Sequence, residues 1–241
     1  MPVKILVIIP AHNEEKSVAG VISEIRLVAP QVDILVINDH SLDNTESEAL
    51  KSGADVVTLP FNLGIGGAVQ TGYKIAAAQD YDIAIQIDGD GQHDPHFIEK
   101  LIHPIINNQL DLCIGSRFLI NDSSFKSTPL RRIGIRFFCG LLRWMTGLYL
   151  TDPTSGFRAC GRKLIQQYAE YYPVDFPEPE AIKIARRHRA RVGEISVQMR
   201  ERHGGQSSIR HLSTLYYMLK VTFAILIDAL KKNPEESHHA S

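Results

Sequence analysis

The sequence is poor in cysteine and tryptophan and has no long apolar run. Its 241 residues include three cysteines and one tryptophan. The cysteines, Cys113, Cys139 and Cys160, form no CxxC pair and lie in apolar stretches, which excludes a thiolate metal cluster or a disulfide framework and predicts buried thiols in a reducing compartment. The apolar run at residues 5–9 is too short for a signal peptide or a membrane span. We therefore expect a cytoplasmic protein, or one bound peripherally to the cytoplasmic face of a membrane.

The sequence also lacks a large net charge, since 26 Lys and Arg residues oppose 27 Asp and Glu residues and leave a formal charge of -1. The whole molecule has no electrostatic bias toward nucleic acid, and we expect no nucleic-acid partner. The charge is unevenly divided along the chain. Residues 1–116 carry 16 acidic and 6 basic side chains, whereas residues 117–241 carry 11 and 20. The acidic half suits a bound cation, and the basic half suits phosphate or an anionic membrane.

Apolar, β-branched runs alternate with amphipathic stretches, in a composition typical of one globular α/β domain. Strands are predicted at 3–9, 33–37, 56–59, 83–87, 112–115 and 191–199, and helices at 14–27, 44–52, 68–78, 129–148 and 212–232. The alternation predicts an open, mainly parallel sheet with helices on both faces.

Polar residues follow three of the predicted strands, at residues 10–14, 38–41 and 88–90. Parallel strands end at one edge of a sheet, and open α/β sheets bind ligands at that edge. In the third cluster the carboxylates of Asp88 and Asp90 flank a glycine, and oxygen ligands of this kind favour Mg²⁺ or Mn²⁺. Gln92, His93 and Asp94 could extend the set of ligands. The alternative is an ordinary turn rich in Asp and Gly, but its position at the shared edge favours a metal site.

A glycine-rich segment, residues 62–68, follows the third predicted strand and opens a helix. Glycines at such a place let the backbone approach a phosphate or sugar. No Gly-Lys-Ser/Thr follows, which excludes a Walker loop, and the dinucleotide fingerprint would have to follow the first strand instead.

Seven segments together resemble the family 2 glycosyltransferases over about residues 3–210. They are IIPAHNEE, INDHSLDNT, NLGIGGAVQTGYKIA, IDGDGQHDP, GSRF, TDPTSGFRACGRK and RHGGQSS. The sequence is most similar to the dolichol-phosphate mannosyltransferase-like and polyprenyl-phosphate glycosyltransferase branch. The resemblance implies a Rossmann-like GT-A fold and a metal-dependent, inverting transfer of a hexose from a nucleotide sugar to a polyprenyl phosphate. We accordingly expect a catalytic domain at 1–210, an amphipathic helix at 211–232 and a polar tail at 233–241.

The resemblance also implies roles for individual residues. The donor nucleotide is expected at Pro10, Ala11, Asn13, Glu14, Asp39, Asn62, Gly66, Asp88, Gly89, Asp90 and Arg202. Asp88, Asp90 and Gln92 are expected to bind Mg²⁺ or Mn²⁺, and Arg117 the acceptor phosphate. A uridine or thymidine donor is favoured because the Asp39 carboxylate can accept a hydrogen bond from N3–H of either base.

Two further arginines, Arg131 and Arg132, lie in the first turn of the helix predicted from Pro129. The helix dipole disfavours cations there, so an anionic acceptor is the simplest use for them. The alternative is that they are surface charges.

The acceptor determines whether a catalytic base is needed. The sequence has Glu178 and Glu180, and no Glu-Asp pair, where family members that glycosylate hydroxyls carry one. A phosphate acceptor is already mostly dianionic at neutral pH and needs no base. Asp152 is the best carboxylate for orienting the acceptor or acting as base, with a turn-capping role as an equal alternative.

Other functions remain open from the sequence. A glycan hydroxyl in cell-surface polysaccharide assembly is the main alternative acceptor. A sugar nucleotidyltransferase would need cations after the first strand, where Glu14 and Glu15 stand, and a non-catalytic nucleotide-sugar-binding protein would not need Asp88 and Asp90.

Two segments are candidates for membrane contact. Residues 133–150 mix aromatic side chains with arginine, a composition typical of a helix lying in a membrane interface. Residues 212–230 are apolar on one face but interrupted by Lys220 and Asp228, so packing on the domain, a homodimer contact and lipid contact are alternatives.

Overall fold

A computed structural model of the chain describes residues 2–119, 129–174 and 177–200, without the side chains of residues 129–134 and 138. All of these residues belong to one compact unit. Arg202, the helix predicted at 211–232 and the tail at 233–241 lie outside the described residues, and the predictions made for them stay predictions.

The described chain alternates strands and helices as predicted up to the fourth strand, whereas the helices at Ile98–Ile106 and Arg162–Glu170 and the strand at Arg158–Gly161 were not predicted. The strands are β1 (Ile5–Ala11), β2 (Asp33–Asn38), β3 (Asp55–Thr58), β4 (Ile83–Gln86), β5 (Leu112–Ser116), β6 (Arg158–Gly161) and β7 (Val192–Ser196). The helices are α1 (Val18–Val28), α2 (Thr45–Lys51), α3 (Gly64–Ala78), α4 (Ile98–Ile106), α5 (Pro129–Thr146), α6 (Arg162–Glu170) and α7 (Pro177–Arg187). Helix α1 begins later than predicted because Glu14 to Ser17 form a turn, in which the Ser17 amide donates to the Glu14 carbonyl.

The seven strands form one sheet in the order β3-β2-β1-β4-β6-β5-β7. Neighbours are parallel except where β6 runs antiparallel to both β4 and β5. Side chains of β1 alternate between two cores. Val7 and Ile9 pack with α1, while Leu6 and Ile8 pack with α3. The predicted sheet, mainly parallel and with helices on both faces, is confirmed.

The strand directions bring several chain segments to one edge of the sheet. Strand β6 is antiparallel to both β4 and β5, so β5 runs in the same direction as β4. Strand β7 is parallel to β5 and therefore runs in that direction too. The carboxyl ends of β1, β2, β4, β5 and β7 therefore share an edge with the amino end of β6. The segment that leads into β6, residues 151–157, ends at this edge.

Two glycines let α3 pack closely on its neighbours. A Cβ atom added at Gly66 would overlap the carbonyl oxygen of Pro173 and lie 2.5 Å from that of Val174, and one at Gly72 would overlap the side chain of Ile8. Close packing against this backbone therefore explains why residue 66 is a glycine, and no contact with a ligand is needed to explain it. Its predicted contact with the donor stays a prediction.

Two of the three cysteines, Cys113 and Cys160, are buried, as the sequence predicted, and Cys139 is only half-buried. All three are free thiols. Burial raises the pKa of Cys113 to about 12, that of Cys139 to about 11 and that of Cys160 to about 12. These thiols remain protonated at neutral pH, which suits a packing role.

Replacing Gly66 with alanine should destabilise the fold, because the added methyl group meets backbone atoms that cannot turn aside. We expect a loss of about 1–3 kcal/mol in the free energy of unfolding, measured by urea denaturation. Gly20→Ala is the control, since nothing lies within 4 Å of a Cβ at that exposed position in α1. It should instead gain up to about 1 kcal/mol from helix propensity. Equal effects of the two substitutions would contradict the close contact.

Candidate active site

Hydrogen bonds join the segments that follow β1, β2 and β4. The Asp39 amide donates to the carbonyl oxygen of Ala11 at 2.8 Å, and the Gly89 amide lies 3.4 Å from that of Pro10. The Leu63 amide donates to Oδ1 of Asp39 at 2.7 Å, which attaches the glycine-rich segment to the same group. The structure thus brings the three polar clusters and the start of α3 together, as the shared sheet edge predicted.

The residues predicted to bind the nucleoside also stabilise these loops. Asp39 is buried, with Oδ1 committed to Leu63. Glu14 is buried as well, and its Oε2 accepts a hydrogen bond from the Ser17 hydroxyl at 2.9 Å. Asn13 adopts a left-handed φ of 57°, and its Oδ1 accepts from the Leu42 amide at 2.9 Å. Hydrogen bonds within and between the loops therefore hold the residues of the predicted nucleoside pocket in place.

One residue at this edge was missed by the sequence reasoning. The Nδ1 of His12 lies 2.8 Å from the carbonyl oxygen of Asp39 and 3.2 Å from Nδ2 of Asn62. His12 thus links β1, β2 and the glycine-rich segment. Its position in the polar cluster at residues 10–14 could have marked it as a residue of the site.

The two carboxylates of the metal motif differ in exposure. The Asp88 side chain is 35% exposed, whereas Asp90 is buried and its Oδ1 accepts from the Gln92 amide at 3.0 Å. Nε2 of Gln86 lies 3.4 Å from Oδ1 of Asp88. An accessible carboxylate among oxygen-bearing neighbours is a donor set that fits Mg²⁺ or Mn²⁺. Asp88, Asp90 and Gln92 are thus suitable for the predicted metal site.

His93 and Asp94, the further ligands predicted from the sequence, both make local hydrogen bonds. His93 is buried, and its Nδ1 accepts from the Asp88 amide at 3.0 Å, so the side chain faces the core. Oδ1 of Asp94 accepts from the His96 amide at 3.0 Å and from Nη2 of Arg200 at 2.8 Å. Both side chains are committed to local structure, and Gln92 alone remains of the three.

Glu24, Asp94 and His96 form the one group of three acidic or histidine side chains close enough to hold a metal within the described residues. Arg200 already supplies a cation there. Its Nη1 and Nη2 lie 2.7 Å from the two oxygens of Glu24, and Nη2 also reaches Asp94. An ion-pair cluster accounts for these residues.

Arg117 and Asp152, predicted separately, form a buried pair. Nε of Arg117 lies 2.6 Å from Oδ2 of Asp152 and Nη2 lies 2.7 Å from Oδ1, with side chains 6% and 0% exposed. The Arg117 amide also donates to Oδ2. Both carboxylate oxygens are therefore occupied, so the geometry gives no support to Asp152 as a base. Asp152 instead fixes the guanidinium of Arg117, a role that the sequence did not suggest.

A second carboxylate, Glu194 on β7, supports Asp152. Its Oε1 accepts from the Asp152 amide at 2.8 Å, and its Oε2 accepts from the amide and hydroxyl of Thr151 at 2.7 and 2.8 Å. Burial raises the pKa of Glu194, and the hydrogen bonds from Thr151 and Asp152 oppose that shift. The sequence reasoning missed Glu194, although a glutamate within a predicted strand was a usable signal.

Glu178, in the first turn of α7, is a further acidic group whose charge interacts with that of Asp88. Burial raises the pKa of its carboxyl, the charge of Arg158 opposes the shift, and Asp88 adds to it. Arg158 is fully buried and donates through Nη1 to the Glu178 carbonyl at 3.1 Å and through Nε to the Ser155 carbonyl at 3.1 Å. Arg158 thus ties the start of α7 to the segment that leads into β6.

The acceptor residues predicted from the sequence are only partly described. Asp88 follows β4 and Arg117 follows β5, with β6 between, so two strand spacings of ~4.8 Å place the chain segments about 10 Å apart. Arg131 and Arg132 lie in the first turn of α5, as predicted, but their side chains are outside the described residues, as is Arg202.

Comparison with known proteins gives a second line of evidence. The profile of the family described as Glycosyl transferase family 2 matches residues 6–169. The UDP-N-acetylglucosamine–dolichyl-phosphate N-acetylglucosaminyltransferase of Methanococcus voltae is 33% identical over 217 residues, which cover 80% of this chain and 84% of that protein. The undecaprenyl-phosphate mannosyltransferase of Micrococcus luteus is 33% identical over 162 residues, covering 65% of each chain.

Solved structures share the fold. The glucosyl-3-phosphoglycerate synthase of Mycobacterium tuberculosis, in complex with Mn²⁺, UDP and glucosyl-3-phosphoglycerate, superposes with a TM-score of 0.72 at 24% identity. The superposition covers 93% of this chain and 79% of that one. At this identity the similarity establishes the fold alone.

Breaking the Arg117–Asp152 pair should destabilise the protein strongly, because either partner alone leaves a buried charge uncompensated. We expect Asp152→Ala and Arg117→Met each to lose about 3–5 kcal/mol in the free energy of unfolding, and the double variant to lose less than their sum. Arg191→Ala, which breaks the half-exposed pair with Asp111, is the control and should have a far smaller effect. Additive losses in urea unfolding would contradict the pairing.

Proposed function

The chain belongs to glycosyl transferase family 2, and we propose that it moves a hexose from a nucleoside-diphosphate sugar to a polyprenyl phosphate. Membership of the family makes the chain a glycosyltransferase and replaces the nucleotidyltransferase and non-catalytic alternatives. The observation that carries the proposal is the Arg117 guanidinium, fixed by Asp152 at the same sheet edge as Asp88. Relatives named for dolichyl and undecaprenyl phosphate acceptors support it.

On the donor side, Asp88, Asp90 and Gln92 would hold Mg²⁺ or Mn²⁺. When bound, the ion would neutralise charge on the leaving diphosphate. Asp39 would accept a hydrogen bond from N3–H of a uridine or thymidine base through Oδ2, since Oδ1 already binds the Leu63 amide. The remaining donor contacts are proposed at Pro10, Ala11, Asn13, Glu14, Asn62, Gly66, Gly89 and Arg202.

On the acceptor side, an oxygen of the lipid phosphate would attack the anomeric carbon as the bond to the diphosphate breaks, with inversion at that carbon. No proton has to be removed, because the phosphate is mostly dianionic at neutral pH. The positive charge of Arg117, with those of Arg131 and Arg132, would hold the acceptor phosphate. Nε and Nη2 of Arg117 are occupied by Asp152, so the two-point binding of phosphate oxygens that suits arginine to this task is proposed for Arg131 and Arg132.

Glu178 favours a second candidate, transfer to a glycan hydroxyl. A hydroxyl acceptor needs a general base, and a carboxyl whose pKa is raised is better matched to that role near neutral pH. We rank this candidate second because a phosphate acceptor gives the fixed Arg117 a use.

The assay that tests the function supplies UDP- or dTDP-sugars, Mn²⁺ and either a polyprenyl phosphate or a glycan. We expect the wild-type protein to form the lipid-linked sugar. Asp88→Asn should lower the rate by about 100-fold or more, as expected when a group that stabilises developing charge is lost. Asp80→Asn, an exposed aspartate paired with Arg162, is the control and should keep full activity.

The same assay separates the two acceptors. Glu178→Gln should leave transfer to polyprenyl phosphate within a few-fold of wild type, because no base is needed. The phosphate acceptor would be refuted if the wild-type protein transferred sugar to the glycan alone. Loss of that transfer in the Glu178→Gln variant would then favour a hydroxyl acceptor with Glu178 as the base.

We also propose that α5 rests on a membrane surface. Phe137 and Trp144 lie seven residues apart on this helix and are 45% and 75% exposed, while Leu142 is buried on the opposite side. Arg143 is exposed and donates to the Tyr149 hydroxyl at 2.6 Å, with its guanidinium 4.0 Å above that ring. Exposed aromatic side chains with arginine beside them are typical of interfacial helices. Among the described residues, no helix is long and apolar enough to cross a bilayer.

Trp144 is the single tryptophan of the chain, so its fluorescence reports on this contact directly. We expect a blue shift on adding vesicles of phosphatidylglycerol and phosphatidylcholine, and a weaker shift with phosphatidylcholine alone. Trp144→Ala should weaken co-sedimentation with the vesicles roughly tenfold or more, from the ~1.5–3 kcal/mol of burying a large apolar side chain. Leu27→Ala, equally exposed on α1, should not. The membrane contact would be refuted if the Trp144 emission did not shift with vesicles and Trp144→Ala did not change co-sedimentation.

The domain boundaries stay part of the proposal. We assign residues 1–210 to the catalytic domain, 211–232 to a helix that packs on it, on a second copy of the chain or on lipid, and 233–241 to a polar tail.

A further inference from the structure

We infer that His93 is a positioning residue, which sets the orientation of the Asp88 carboxylate from the buried side of the site. The inference rests on the proposed function, in which Asp88 holds the cation. It gives a role to a side chain that the sequence offered as a metal ligand and that the structure turns toward the core.

The His93 ring is fixed by its surroundings. It is 4% exposed and stacks on Phe157, with 5.1 Å between ring centroids and an interplanar angle of 14°. Its backbone forms an antiparallel bridge with Met199, so the chain on either side is paired as well. The stacking and the backbone bridge together restrict the movement of the His93 ring.

The hydrogen bond to Asp88 also fixes the proton on the ring. Nδ1 of His93 accepts from the Asp88 amide at 3.0 Å, so that nitrogen carries a lone pair. A neutral imidazole with an unprotonated Nδ1 bears its proton on Nε2. Nε2 lies 3.7 Å from Oδ2 of Asp88, and its polarised N–H is therefore adjacent to the carboxylate. A single ring thus contacts the main chain of Asp88 and faces its side chain.

The other sides of the carboxylate are also bounded. Nε2 of Gln86 lies 3.4 Å from Oδ1, opposite the oxygen that His93 faces. A Cβ added at Gly156 would lie 3.2 Å from both oxygens, so the backbone there closes a third side. The Asp88 side chain nevertheless keeps 35% of its surface exposed. His93, Gln86 and Gly156 therefore bound the carboxylate, and part of its surface stays open.

Residues that orient a ligand in this way affect the metal without touching it. Loss of such an outer partner typically costs 10–100-fold in metal affinity. A direct ligand role for His93 does not fit, because Nδ1 is occupied by the Asp88 amide and Nε2 bears the proton. The remaining alternative is that His93 only fills space beside Phe157.

The first experiment reads the proton position in the metal-free protein. In a long-range ¹H–¹⁵N spectrum of histidine-labelled protein, assigned by comparison with His93→Phe, we expect the His93 signals of an unprotonated Nδ1 and a protonated Nε2. A protonated Nδ1 would overturn the inference, whatever the protein catalyses.

The second experiment measures binding of UDP in the presence of Mn²⁺ by calorimetry. His93→Phe keeps a ring against Phe157 but removes both nitrogens, and we expect the Mn²⁺-dependent affinity to fall 10–100-fold. Binding of uridine without metal should not change. His93→Asn should recover part of the loss, because its amide oxygen can accept from the Asp88 amide. The matched control is His103→Phe, at an exposed position on α4.

The outcomes separate this inference from the proposed function. If His93→Phe binds Mn²⁺ and UDP like wild type while Asp88→Asn does not, the metal site stands and His93 merely packs. If Asp88→Asn also binds like wild type, the metal assignment itself fails and the inference fails with it.

Discussion

The antiparallel pairing of β6 between β4 and β5 is the constraint on which the site depends. Because β6 enters the sheet at the edge where its neighbours end, residues 151–157 must cross that edge just before it begins. This segment supplies Asp152 to Arg117, places Gly156 against Asp88 and stacks Phe157 on His93. A fully parallel sheet would have placed the same residues at the opposite edge, away from the metal motif.

The carboxylates at this edge of the sheet differ in how far they are exposed to solvent. Asp152 is enclosed and occupied by Arg117, and Glu194 behind it is occupied by amides and a hydroxyl. Asp88, in contrast, keeps part of its surface open. Buried ions are tolerated when they are paired and hydrogen-bonded. Asp152 and Glu194 therefore serve to hold an arginine and a loop, while the accessible Asp88 is available for a ligand.

Sequence patterns predicted the parts of the molecule whose signals are local. The runs that became β1 to β4 are apolar and β-branched, and the polar clusters after them met at one edge as expected. Strand β6 escaped prediction because it has four residues and begins with Arg158, which is buried by donating to main-chain carbonyl groups rather than by apolar contact. The partnership of Arg117 with Asp152 spans 35 positions, and its support by Glu194 spans 42 more. Contacts at such separations depend on strand order, which periodicity does not encode.

The contact at Gly66 has a mechanical consequence. With no side chain between them, the start of α3 and the backbone of Pro173 and Val174 touch directly, so neither can give way by changing a rotamer. One end of this contact adjoins Leu63 and Asp39, and the other leads within a few residues to α7 and Glu178. A displacement of the start of α3 therefore meets main chain directly, and the backbone of Pro173 and Val174 has to shift with it.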